Sequence, residues 1–216
     1  MMVNKPSTIN HPPSIIHHLE DKYLTISAPA EGLYKEKGSK FIAFAIPVSN
    51  VEQIKEILDE KRKEHHDARH VCYAYILGVD KADYRSNDDG EPSGTAGRPI
   101  LGSLLSAGVT NVLIAVVRYF GGTKLGTSGL INAYKVASAD ALENAEIIEK
   151  TVDEEIHISF DYLVMNDVMK IIKDVAPQVL SQQFDNSCKM VLSIRKGDAP
   201  NLIERLKKVE SLIIED

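Results

Sequence analysis

The sequence predicts an α+β protein of two domains, and three observations carry that reading. The run Val112 to Val117 is apolar without alternation, which marks a strand buried on both faces at the centre of a covered sheet. Segments of helical period lie on either side of it. Beyond residue 150 the order becomes strand, helix, strand, strand, helix, strand, which is a different pattern from the first part. Composition agrees: of 216 residues 44% are hydrophobic and 26% charged, which excludes a disordered, collagen-like or membrane-embedded chain. The longest apolar run is far short of the roughly 20 residues that span a bilayer.

The elements follow in order. Strands are predicted at Tyr23–Ser27, Gly32–Lys35 and Lys40–Val48, the last with Phe41, Ile42, Phe44 and Ile46. Asn50 caps a helix that carries Val51, Ile54, Ile57 and Leu58 on one face and runs to about His65. Val71–Leu77 is a strand, followed by a polar turn and then a helix from about Pro99 to Ala107, stopped by Gly108. The central strand covers Asn111–Phe120, and a long helix is expected over Ser128–Glu149. The charged stretch Glu149–Glu155 reads as a linker. After it come strand Ile156–Phe160, helix Asn166–Val175, strands Val179–Phe184 and Lys189–Ile194, helix Pro200–Val209 and strand Leu212–Ile214. That βαββαβ order is the split βαβ arrangement of a ferredoxin-like domain. The expected division is an arm over 1–19, a first domain over 20–150 and a second over 151–216.

Pro6, Pro12 and Pro13 interrupt the N-terminal arm, which lacks the compact apolar segment of a signal peptide. Its adjacent His17 and His18 read as surface residues. Cys72 and Cys188 lie far apart in apolar strands and read as reduced core residues of a cytoplasmic protein. Lys plus Arg total 25 against 31 acidic residues, a net charge of −6, which disfavours a protein basic all over. The charge is uneven, however. Between residues 85 and 135, Arg85, Arg98, Arg118, Lys124 and Lys135 face only Asp88, Asp89 and Glu91, a net of +2. The glycines concentrate there too, so an anion site is expected in this stretch.

Two glycine-rich loops fall within it. In the first, Asn87–Pro99, the glycines Gly90, Gly94 and Gly97 permit backbone N–H groups to converge on a ligand. Asp88, Asp89 and Glu91 are candidate Mg²⁺ ligands, although ordinary turn capping accounts for them as well and is preferred. Ser93 lacks the Gly-x-Ser-x-Gly elbow of a hydrolase nucleophile. The second loop, Arg118–Gly129, joins the central strand to the long helix, a setting in which glycine loops present N–H groups to phosphate. Gly121, Gly126 and Ser128 have P-loop spacing, but Thr127 stands where the essential lysine belongs, so a Walker NTPase is rejected. Arg118 beside six apolar residues is either salt-bridged to the first loop's acids or exposed at a functional rim. Tyr119 and Phe120 either stack on a base or close the core, and spacing does not separate the two. His66 and His70 are four apart without the Glu of His-Glu-x-x-His, and read as surface histidines beside Arg69.

The segments Asp88–Gly97 and Val117–Gly126 together resemble the IMPACT family in its bacterial branch. Lys37–Ile42 and Arg69–Tyr75 are similar to that family's earlier segments, and the resemblance covers about residues 20–216. Ser128 departs from it, standing where a glycine is expected. The resemblance implies a first domain like domain 2 of ribosomal protein S5, a sheet covered by helices, and a ferredoxin-like second domain. It also implies a link to translation, since eukaryotic members act in translational control through a partner that activates an initiation-factor kinase. The extra domain that binds that partner is not expected here, so the kinase role is not carried over.

The function expected is a non-catalytic, cytoplasmic, translation-associated protein that binds RNA or the ribosome. Arg98, Arg118 and Lys124, with Arg69 and Arg85, are the candidate phosphate contacts. N–H groups at Gly121 and Gly122, ahead of Gly126, would assist, and Tyr119 or Phe120 would stack. The acidic second domain would dock a protein. The alternatives are an Mg²⁺-dependent enzyme acting on a phosphorylated small molecule and a protein-only regulatory adaptor.

Overall fold

A computed structural model describes residues 21–184 and 187–215. The expected arm over 1–19, with His17 and His18, lies outside the described residues. The chain forms two compact units, residues 23–150 and residues 151–215, the latter taking in residues 21 and 22.

In the first unit, strands β2 (Ala30–Glu36), β3 (Ser39–Pro47), β6 (Val112–Tyr119), β4 (His70–Leu77) and β5 (Asp83–Asn87) form one sheet in that spatial order, antiparallel throughout. The apolar run is the central strand as expected, and Val112 to Val117 are all fully buried. One face carries α1 (Val51–Glu64), whose Ile54 and Leu58 pack with Phe44, Tyr75 and Leu113. Asn50 accepts a hydrogen bond from the Gln53 N–H at 2.9 Å and starts that helix as predicted. The other face carries α2 (Gly97–Ala107) and α3 (Gly126–Glu143), which bury Ile100, Leu104, Ala133, Tyr134 and Ala137 against Phe41, Cys72 and Ile114.

Three sequence expectations need correction. The polar turn after Leu77 contains β5, an edge strand whose mostly exposed residues carry no apolar alternation. The long helix stops at Glu143, and Ile147–Thr151 is a strand, β7, paired with β1 (Lys22–Ile26). The supposed linker 149–155 is therefore extended backbone at the junction of β7 and β8 (Asp153–Phe160).

The second unit runs β8, a short 3₁₀ turn at Tyr162–Val164, α4 (Met165–Val175), β9 (Gln178–Phe184), β10 (Cys188–Arg195), α5 (Ala199–Leu206) and β11 (Ile213–Glu215). Its antiparallel sheet has the order β11-β8-β10-β9. Ile158, Met190 and Leu192 pack against Val168, Ile172, Leu202 and Leu206. Asp21, 1% exposed, is tied into this unit by Arg195 Nε and Nη2 at 2.7 and 2.9 Å and by the Gly197 N–H at 2.9 Å. Both cysteines are free and buried. Among the described residues no helix is long and apolar enough to cross a membrane.

Candidate functional site

The site is a cavity of about 450 Å³ in the first unit, lined by residues of β4, β6, both glycine loops and the start of α3. The β4–β6 register sets His70 directly opposite Arg118, so both project from the face that carries α2 and α3. Arg69, Phe120, Lys124 and Thr127 form its exposed rim, and Leu125 and Leu130 supply a buried apolar wall. Among the described residues neither Arg69 nor Lys124 has an ion-pair partner. α3 begins at the cavity with no side chain capping its first turn, leaving backbone N–H groups and the positive end of the helix dipole there.

Arg118 resolves the choice posed by its sequence position: it is 7% exposed and salt-bridged, and it still lines the cavity. Its Nη1 donates to Glu91 Oε1, and its guanidinium lies 5.4 Å from the Phe41 ring centre and 5.7 Å from that of Phe120. Its Nε is buried and has no hydrogen-bond partner among the described residues. Glu91, 8% exposed, also accepts from the Tyr134 hydroxyl at 2.8 Å. Cys72 Sγ lies 3.3 Å from that hydroxyl and 3.0 Å from the Asp88 carbonyl, with a single S–H to donate between them. Burial pushes the Cys72 thiol and the Tyr134 hydroxyl well above their ordinary pKa values, so both stay protonated donors in this network.

The first loop does gather N–H groups, but around its own Asp88. The carboxylate accepts from Gly94, Ala96 and Gly97 at 2.8–2.9 Å. Burial alone would raise the pKa of Asp88; these three hydrogen bonds and the nearby charge of Arg98 outweigh it and hold the carboxyl below its ordinary value. Asp89 accepts from the Val71 N–H at 2.7 Å and from Arg62 at 3.2 Å. The three candidate Mg²⁺ ligands thus point to separate protein partners. Among the described residues no group of three or more His, Cys, Asp or Glu is arranged to hold a metal ion.

Other candidate residues fall differently from the sequence reading. Strand alternation turns Tyr119 to the α1 face, where His65 Nδ1 and Asp67 Oδ1 lie 2.8 and 3.3 Å from its hydroxyl. Phe120, 47% exposed, is the aromatic that faces the cavity. Gly121 presents no N–H to a ligand, because that N–H donates to Ser39 Oγ at 3.1 Å. It is a glycine because a Cβ there would stand 1.9 Å from the Gly38 carbonyl carbon. Gly122 is exposed in the loop, and Gly126 opens α3 at the cavity. Arg98 at the start of α2 and Arg85 on β5 are exposed and do not line the cavity.

His70 was missed. It is not a surface histidine: its Nδ1 lies 2.7 Å from the Asp89 carbonyl and its Nε2 4.0 Å from Glu91 Oε1. It is the first residue of β4, and the one signal for it in the sequence is its place at the head of the apolar run Val71–Leu77; its register with Arg118 comes from the sheet. His66, four residues earlier, is exposed as expected.

Residues 37–142, which include every residue that lines this cavity, match the Impact N-terminal domain. The chain is 34% identical over 152 residues to the IMPACT family member YvyE of Bacillus subtilis, covering 70% of each protein. It is 32% identical over 166 residues to the IMPACT family member YigZ of Escherichia coli, covering 76% of this chain and 81% of that one. A crystal structure of a hypothetical protein superposes with a TM-score of 0.71 at 29% identity, covering 90% of this chain and 96% of the other. The chain belongs to the IMPACT family.

Proposed function

We propose that the protein is a non-catalytic, translation-associated regulator that binds RNA, free or within the ribosome, through the cavity beside α3. The observation that carries this is the company kept by the rim: Arg69 and Lys124 without acidic partners among the described residues, the start of α3 without a side-chain cap, and an exposed Phe120. Cations and helix N-termini contact phosphate, and an exposed aromatic ring stacks a base. Arg118 acts behind them, as a buried arginine that shapes the cavity rather than as a free phosphate contact. The first loop supports binding rather than metal-assisted chemistry, because Asp88, Asp89 and Glu91 are each engaged by the protein itself.

The link to translation rests on family membership, whose eukaryotic members act in translational control. An S5 domain 2-like first unit is supported by its antiparallel sheet with helices on its faces, and a ferredoxin-like second unit by the order β11-β8-β10-β9. The stretch 151–216, with 8 basic against 12 acidic residues, serves in this reading to dock a protein. The test is co-sedimentation with ribosomes and capture of bound RNA from cytoplasmic extract. Arg69→Ala combined with Lys124→Ala is expected to release both; retention equal to wild type would refute the assignment.

A further inference from the structure

We propose that the cavity takes the phosphomonoester end of a nucleotide, at an RNA terminus or on a free mononucleotide, rather than an internal stretch of a continuous strand. This deepens the RNA-binding reading and rests on it.

The first argument is charge. Among the lining residues the three cations Arg69, Lys124 and Arg118 face a single carboxylate, Glu91, an excess of two positive charges from Arg and Lys over Asp and Glu. The start of α3 adds roughly half a positive charge. A phosphomonoester carries about −1.5 to −2 at pH 7, a match for positive charge gathered at one spot. An internal phosphodiester carries one negative charge, and a continuous strand is held by cations laid along a groove.

The second argument is stacking. Grooves that follow a strand offer successive aromatic rings to successive bases. Here alternation along β6 sends Tyr119 to the opposite face, and among the described Phe and Tyr residues Phe120 alone lines the cavity. One ring stacks one base.

The third argument is closure and orientation. The cavity, about 450 Å³, has the size of a small-molecule site. Its inner side is formed by buried Glu91 and Arg118, with Tyr134 bonded behind them. The Glu91 carboxylate repels a phosphate from that side. The phosphate is thereby directed to the rim, where Arg69, Lys124 and the backbone at Gly126 and Thr127 lie, and the base to Phe120, Leu125 and Leu130. Arg118, with one terminal nitrogen on Glu91 and a buried Nε that has no partner among the described residues, adds positive potential from beneath, and no second described acid neutralises it.

The experiment is fluorescence-anisotropy titration of one short single-stranded RNA, internally labelled, in four forms: 5′-phosphate, 3′-phosphate, hydroxyl at both ends, and circular. Nucleoside monophosphates serve as competitors. One phosphorylated end is expected to bind at least about tenfold more tightly than the hydroxyl-ended and circular forms. Arg69→Ala with Lys124→Ala removes that preference; both side chains are exposed, so the fold is retained. Equal affinity for all four forms overturns the proposal and leaves the RNA-binding reading standing. Mononucleotide binding without RNA binding upholds the cavity assignment and removes the RNA reading. Failure of every one of these ligands to bind defeats both.

Discussion

The two glycine-rich loops look alike in sequence and are opposite in what they leave open. In Asn87–Pro99 the polar groups satisfy one another: three N–H groups converge on Asp88, Asp89 holds β4, and Glu91 holds Arg118. In Arg118–Gly129 only the beginning is tied in among the described residues, through Arg118 to Glu91, the Tyr119 hydroxyl to His65 and Asp67, and the Gly121 N–H to Ser39, whereas Lys124, Phe120 and the start of α3 stay available. Glycines and charges mark loops that organise hydrogen bonds; whether the bonds go to the protein or to a ligand depends on whether an internal acceptor is within reach. Asp88 supplies one for the first loop. Among the described residues no side chain caps the second in the same way.

The comparison breaks most severely at Glu91. Glu91→Ala strands the buried Arg118 charge and removes the acceptor for Tyr134, and a loss of about 3–5 kcal/mol in urea denaturation is expected. A loss under about 1 kcal/mol would show that the pair is not a structural element. Gly121→Ala comes next, because its Cβ must push apart two backbones; the upper end of about 1–3 kcal/mol is expected. Gly122→Ala, with nothing nearby but a φ of +86°, is expected to cost about 1 kcal/mol in the same assay.

Asp88→Asn removes the charge around which the first loop closes, and its effect depends on pH. The folded carboxyl lies below its ordinary value of about 3.9. Its contribution, on the order of 1–3 kcal/mol, is therefore complete above that ordinary value and is lost as pH falls through the lowered folded value. The stabilities of wild type and variant are expected to differ at pH 7 and to start converging only as pH falls below about 4, toward the lowered folded value. A constant difference across that range would remove Asp88 as the loop's organising charge. The smallest stability effects come from the aromatic pair. Tyr119→Phe is expected to cost about 0.5–1.5 kcal/mol of stability and no RNA affinity. Phe120→Leu is expected to leave stability within about 0.5 kcal/mol and to weaken RNA binding about tenfold, measured by anisotropy.

Much of this was legible in the sequence where the signal is local. The central strand, the Asn50 cap and the βαββαβ order of the second unit all follow from period and capping chemistry. The strands β5 and β7 were not legible, because Asp83–Asn87 is a polar edge and because Ile147 and Ile148 continue the apolar spacing of the helix that precedes them. At the site, a partner for Arg118 among the first loop's acids was readable from the oddity of a charge on an apolar strand. The pairing of His70 with Arg118 was not, since it depends on β4 and β6 being neighbours across 48 residues of chain. The use of Asp88 as the target of its own loop was likewise hidden, because a carboxylate that binds a ligand and one that binds its own backbone have the same sequence.

The central claim is that the open second loop, and not the closed first one, carries the electrostatics of RNA binding. The most direct test is the salt dependence of single-stranded RNA affinity for wild type and for Arg69→Ala with Lys124→Ala. Loss of two phosphate contacts is expected to flatten the slope of log affinity against log salt by about 1.4. Parallel lines for the two proteins would contradict the account.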